Sequence, residues 1–152
     1  MAFKAIAEAV QDIIQAMTRF ADAEVTIGDD RVLESGRTNI VIIYPGEAET
    51  RDIAQNREDH IYTVDLDLFI RWKGEPDKSW TEFVECRDDL ITELRKWPMI
   101  NQTSLFIKAV DIFARDKPDL VDDSQERGPF FIYQRISAAV TEEVEISGGD
   151  YT

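Results

Sequence analysis

The longest regular pattern of apolar and polar positions in the chain runs from His60 to Trp72. His60, Tyr62, Val64, Leu66, Leu68, Ile70 and Trp72 fall on one side of a period-two alternation. Ile61, Thr63, Asp65, Asp67, Phe69 and Arg71 fall on the other. At about 3.3 Å per residue this strand runs roughly 40 Å, long enough to cross a sheet and project beyond it.

The even side of that strand needs a cover, and the N-terminal segment supplies one. Over residues 2–21, Phe3, Ile6, Ala7, Val10, Ile13, Ile14, Met17 and Ala21 recur at helical steps, with Lys4, Glu8, Asp12, Gln15 and Arg19 opposite. Glu24–Ile27 is a short candidate strand, followed by turn chemistry at Gly28-Asp29-Asp30. Asn39–Tyr44 is apolar on both faces and closes at Pro45-Gly46. The polar stretch 47–59 then predicts a long, mobile hairpin tip leading into the long strand.

A second helix is predicted from Asp77 to Trp97, with Ser79 and Glu82 as a capping box or Asp77 as the cap, and Pro98 as the stop. Its apolar stripe includes Trp80, Phe83, Val84, Leu90, Ile91, Leu94 and Trp97. Arg87 interrupts the stripe, either reaching out to solvent or meeting Asp65 or Asp67 of the sheet. Ser104–Ala114 predicts a strand, 115–128 a polar loop, and Pro129–Val144 a last strand. The order predicts a single α+β domain over residues 1–146 with a short tail at 147–152. Its sheet is mixed, mainly antiparallel and four- to five-stranded, with two helices packed on one face.

That arrangement leaves the other face to be explained. Ile61 and Phe69 point to it, together with one side of Asn39–Tyr44 and of the segment containing Phe131 and Tyr133. Either a partner subunit covers this face, or the sheet twists and the loops fold back over it.

Composition narrows the functional classes. A length of 152 residues supports one core, and 43% hydrophobic content argues against disorder despite a net charge of −14. The acidic balance weighs against nucleic-acid binding, because the basic residues are scattered and Arg95-Lys96 is their only adjacent pair. One cysteine excludes an internal disulfide. No apolar run approaches the ~18 residues of a membrane span and the N-terminus does not resemble a signal peptide, so a soluble, cytoplasm-made protein is expected.

Candidate chemistry is sparse. His60 is the only histidine and Cys86 the only cysteine, which leaves no His- or Cys-based metal site. G-x-S-x-G and the phosphate-cradling glycine loops are missing. Asp65 and Asp67 share a strand face, but nothing in the sequence marks them as buried. No catalytic, cofactor or metal residue is assigned, and an enzyme is not expected.

The order of elements, the long strand ending in RWKGEPDKSW, the Trp97-Pro98 helix stop and the closing strand GPFFIYQRISAAVTEEVE resemble the tail terminator and tail-completion proteins of long-tailed bacteriophages. The resemblance covers most of the chain and is one of texture, without an invariant motif. It implies a virion protein of the neck, forming a ring, commonly a hexamer, that caps the tail tube, ends its polymerisation and meets the head–tail connector proteins. DNA passes through the lumen of such a ring. The surfaces expected to contact neighbours are Ile61, Phe69, Phe131 and Tyr133 on the outer face, and two polar tips. Glu47, Glu49 and Arg51 belong to one tip; Asp116, Asp119, Asp122 and Asp123 belong to the other. Head–tail adaptors and stoppers share the size and style. A different class, a small acidic inhibitory protein that mimics DNA, and a small enzyme built on Asp65 and Asp67 are the remaining readings.

Overall fold

A computed structural model of the chain describes residues 3–30, 39–54, 56–96, 107–122 and 130–145. Helix α1 (Phe3–Gln15) and a 3-10 turn (Thr18–Phe20) precede β1 (Glu24–Ile27), β2 (Asn39–Ala54) and β3 (Arg57–Arg71). Helix α2 (Pro76–Arg95) leads to β4 (Ile107–Asp122) and β5 (Phe130–Glu145). The five strands form one sheet in the order β1-β2-β3-β5-β4. β1 runs parallel to β2 and every other pair is antiparallel. This is the expected α+β class, with both helices on one face. The helix stop at Trp97-Pro98, the strand start at Ser104, Asp123 and the tail at 147–152 lie outside the described residues.

The core follows from the period of each element. Helix α1 buries Ile6, Ala7, Val10 and Ile14, and α2 buries Phe83, Cys86, Leu90 and Leu94. These stripes meet Val64, Leu66, Leu68 and Ile70 of β3, with Val41, Ile43, Ile132, Ile136, Ala138 and Val140 from the flanking strands. The first helix ends earlier than its apolar periodicity predicts, because Met17 adopts an extended conformation (φ −75°, ψ 134°). The 3-10 turn then carries Phe20 into the same core, where it is 1% exposed.

The capping-box expectation for α2 is corrected. Pro76 occupies the first helical turn, where its missing N–H costs nothing, and Glu75 caps without a side-chain bond. Ser79 is buried, and its Oγ accepts the Lys73 backbone N–H at 3.0 Å. This bond ties the helix to the end of β3 across Gly74, whose φ of +82° suits a residue without Cβ.

Both polar stretches expected as loops are largely strand. β2 continues through Thr50, Arg51 and Asp52, opposite His60, Asp59 and Glu58 of β3. Past a bulge between Arg115 and Asp119, β4 resumes and pairs Asp119–Asp122 with Tyr133–Phe130. Sequence alternation detects a strand by its buried face, and Pro45–Thr50 has none, being exposed throughout. Backbone pairing with β3 and β5 carries these segments on as strand.

Candidate functional site

The sheet face away from the helices divides along its length into three zones. The first is a compact apolar cluster of Ile40, Ile42, Phe69 and Phe131, with Tyr44 and Tyr133 packed against it. Phe69 meets Phe131 edge-to-face at 5.9 Å between ring centroids and lies 4.9 Å from Tyr133 at a tilt of 32°. Of the two expectations for this face, an open apolar surface for a partner or closure within the chain, the described residues of this cluster show the second. Phe69 is 8% exposed and Phe131 1%, covered within the single chain. Tyr133 and Ile61 are half-buried. Among the described residues the exposed large hydrophobics are Val84 and Leu120, neither of which belongs to this face.

The second zone is ionic. Arg135 clamps Asp67 with two parallel bonds, Nε to Oδ1 at 2.7 Å and Nη2 to Oδ2 at 3.0 Å. Its Nη1 lies 3.7 Å from Asp65, whose other oxygen accepts the Ser137 hydroxyl at 2.8 Å. The Tyr133 hydroxyl donates to Asp67 at 3.1 Å. Asp65 and Asp67 are thus buried, for which the sequence carried no local signal. The missing signal was Arg135. Strand register brings it opposite Asp67, and register is a tertiary property. Arg87 does not take this role. It lies on the helix side of the sheet, where Nη1 donates to Gln134 at 3.2 Å.

Burial pushes the Tyr133 phenol above its ordinary pKa, and the neighbouring Asp67 charge acts in the same direction. Burial likewise raises Tyr44, aided by Asp30. The hydrogen bond to Asp67 holds the Arg135 guanidinium charged beyond its ordinary range. Asp65, Asp67 and Arg135 each have a neutralising or hydrogen-bonding neighbour in place, and these bonds join β3 to β5.

The third zone is an extension of the sheet past the core. The helix-packed cluster reaches no further along β3 than Tyr62, yet β3 begins at Arg57, roughly 23 Å below Val64 at strand rise. β2 and β5 accompany it to the end, with Arg57 opposite Glu145 and Glu58 opposite Val144, while Ile107 of β4 joins at Glu142. The extension is acidic by position, with Glu47, Glu49, Asp52, Glu58, Asp59, Glu142, Glu143 and Glu145 outnumbering Arg51, Arg57 and Lys108. It starts at a bulge after Pro45, where Gly46 lies against β3. A Cβ on Gly46 would come within 2.8 Å of the Thr63 carbonyl oxygen. Only glycine permits that approach.

The two sets of expected tip residues lie at opposite ends of the sheet. Glu47 and Glu49 are exposed on the extension, and Arg51 sits opposite Asp59 there. Asp116, at φ 58°, and Asp119 are exposed at the far end, and Asp122 pairs with Phe130. Glu49 is level with Ile61 and Asp119 is level with Phe69, which separates the two groups by roughly 26 Å along β3.

On the helix side, Arg19 joins Asp89 and Glu85 across the α1–α2 junction, above the buried Cys86. Cys86 is 1% exposed in the helix-packed core, and burial pushes its thiol up while the neighbouring Arg19 charge pulls it down. Among the described residues no group of three or more His, Cys, Asp or Glu is placed to hold a metal ion. No described helix is long and apolar enough to cross a membrane. Fold and surface together define an α+β protein with an acidic sheet extension and polar groups at both ends of that sheet. No known protein-family profile matches the chain, and a search of curated proteins finds no match.

Proposed function

We propose that the chain is the subunit of a ring in the neck of a long-tailed bacteriophage, a structural protein that caps the tail tube, ends its polymerisation and joins the tail to the head connector. One observation carries the reading. The sheet runs past its own core as an acidic extension, with a second polar segment at its opposite end. A ring between two other rings needs contacts at two axial levels, and this sheet presents polar backbone and side chains at both. The acidic surface suits a lumen through which DNA passes without adhering. On this reading the assembly is a homo-oligomer, commonly six subunits. Its partners are the tube protein below and connector proteins above, and the residues serve packing and contact, with no catalytic step.

Omitting the protein during tail assembly tests the role by electron microscopy. Overlong tubes support termination. Tails of normal length that fail to join heads transfer the chain to the adaptor and stopper class. The acidic extension also favours a second reading, a DNA mimic occupying a basic cleft; a stable monomer bound tightly to a DNA-binding enzyme in native mass spectrometry would establish that instead.

A further inference from the structure

We infer that the far half of β4, beyond Arg115, is a hinged strap that a buried amide, Gln134, latches to α2, so that it opens and closes as a unit while the core stays folded. Such a latch works in a lone subunit and does not require the ring. The hinge is the break in the β4–β5 ladder. Arg115 faces Arg135 and Asp119 faces Tyr133, so Asp116, Lys117 and Pro118 stand against Gln134 alone. Asp116 turns the chain at φ 58°, a left-handed conformation that a residue with a side chain adopts at a cost. Pro118 has no N–H to return to the ladder. Strained backbone of this kind persists where its surroundings hold it.

Gln134 supplies the hold. It is 3% exposed and stands opposite Leu68, in the row of β5 that the helices cover. Its Nε2 donates to the Asp116 carbonyl at 2.9 Å, and its Oε1 accepts from Arg87 Nη1 of α2 at 3.2 Å. One side chain thus ties the turn to the helix. The two halves of β4 are anchored differently. Before the turn, Ile112 is 1% exposed in the helix-packed core, and its carbonyl accepts Arg95 Nη2 of α2 at 3.1 Å. Beyond the turn, Asp119 and Leu120 are exposed, and among the described residues none of Asp119–Asp122 joins either apolar cluster. The strap belongs to the last strand of the sheet and meets β5 over four register pairs. Little buried area and few bonds put its opening at the low end of the free-energy scale. Opening frees the β5 edge from Phe130 to Tyr133, which carries Phe131 and Tyr133 of the outer aromatic cluster.

The test is amide hydrogen exchange on the full-length chain, read by mass spectrometry, with the variants Gln134→Leu and Asp116→Gly. Leucine suits the apolar row of Ile132 and Ile136, while Asp116 is exposed to water and Arg87 keeps its bond to Asp88 at 3.2 Å. With Gln134→Leu, exchange over Lys117–Asp122 is expected to quicken roughly fivefold to tenfold, while α1, β3 and Val110–Ala114 of β4 hold their rates. Asp116→Gly relaxes the left-handed turn and should slow the same stretch roughly threefold. An unchanged rate over Lys117–Asp122 in Gln134→Leu overturns the latch. So does a rise of equal size in β3 and α1, which would make Gln134 a support of the whole fold. Unchanged or faster exchange in Asp116→Gly overturns the strained hinge, and this variant decides alone should Gln134→Leu not fold.

Discussion

Arg135 is the residue on which the outer face of the sheet turns. Its clamp on Asp67 neutralises a carboxylate that is 7% exposed, so Asp67→Asn removes two charge-assisted bonds and leaves the guanidinium facing an amide. Because the Arg135 side chain is itself 40% exposed, water recovers part of that loss. A decrease of about 2 kcal/mol in unfolding free energy is expected, measured by urea titration. Tyr133 donates to the same carboxylate and holds its proton more tightly when folded than its ordinary value of 10.0 implies. A raised folded pKa gives stability that is complete below about pH 10 and is lost as the pH rises through the folded value. Thermal melts should therefore hold steady from pH 7 to 8 and decline above, most steeply beyond pH 10, and Tyr133→Phe should shallow that decline. Tyr44 and Cys86 act in the same direction, so the slope lessens without vanishing. Leu66 and Phe69 fall on opposite sides of the strand's alternation. Both are core residues of the single chain, at 0% and 8% exposure. Leu66→Ala should cost about 2–5 kcal/mol and Phe69→Ala about 3–5 kcal/mol, so chemical denaturation of the isolated subunit detects both.

Among the elements, β2 shows best how a strand is held without a buried face. Its first part, Ile40–Ile43, is buried on both sides between β1 and β3. After the bulge it is exposed, and its geometry depends on the close approach at Gly46. Gly46→Ala forces a Cβ against a backbone carbonyl that has no room to move, because Thr63 is fixed in turn by Ala139 of β5. The expected outcome is a subunit with its helix-packed core intact but faster amide exchange from Glu47 to Tyr62, read by mass spectrometry. Uniform exchange change across the chain would instead show that the bulge supports the whole sheet.

For the whole molecule, core and extension are expected to be separable in energy. The apolar cluster that anchors both helices stops at Tyr62, so replacing residues 47–60 by a short turn should leave the melting temperature of the subunit within a few degrees of the parent. If the chain forms the proposed ring, the same deletion should abolish assembly, measured by light scattering. A large fall in melting temperature would mean that the extension stabilises the core through β5.

Alternation and helical periodicity determined which residues form the helix-covered core, because burial on one face repeats with the period of the element that buries it. They placed Ile6, Val10, Leu66, Ile70, Phe83 and Leu90 without tertiary information. They could not place the long strand's polar start, since pairing there is made by backbone groups that every residue carries. The strand expected over His60–Trp72 runs from Arg57 to Arg71, with β5 beside it throughout and β2 from Arg57 to Ile70. Only the register decided that Asp67 meets Arg135 rather than Arg87, and that the outer aromatic cluster closes within one chain. Register joins residues far apart in sequence, and no local pattern encodes it.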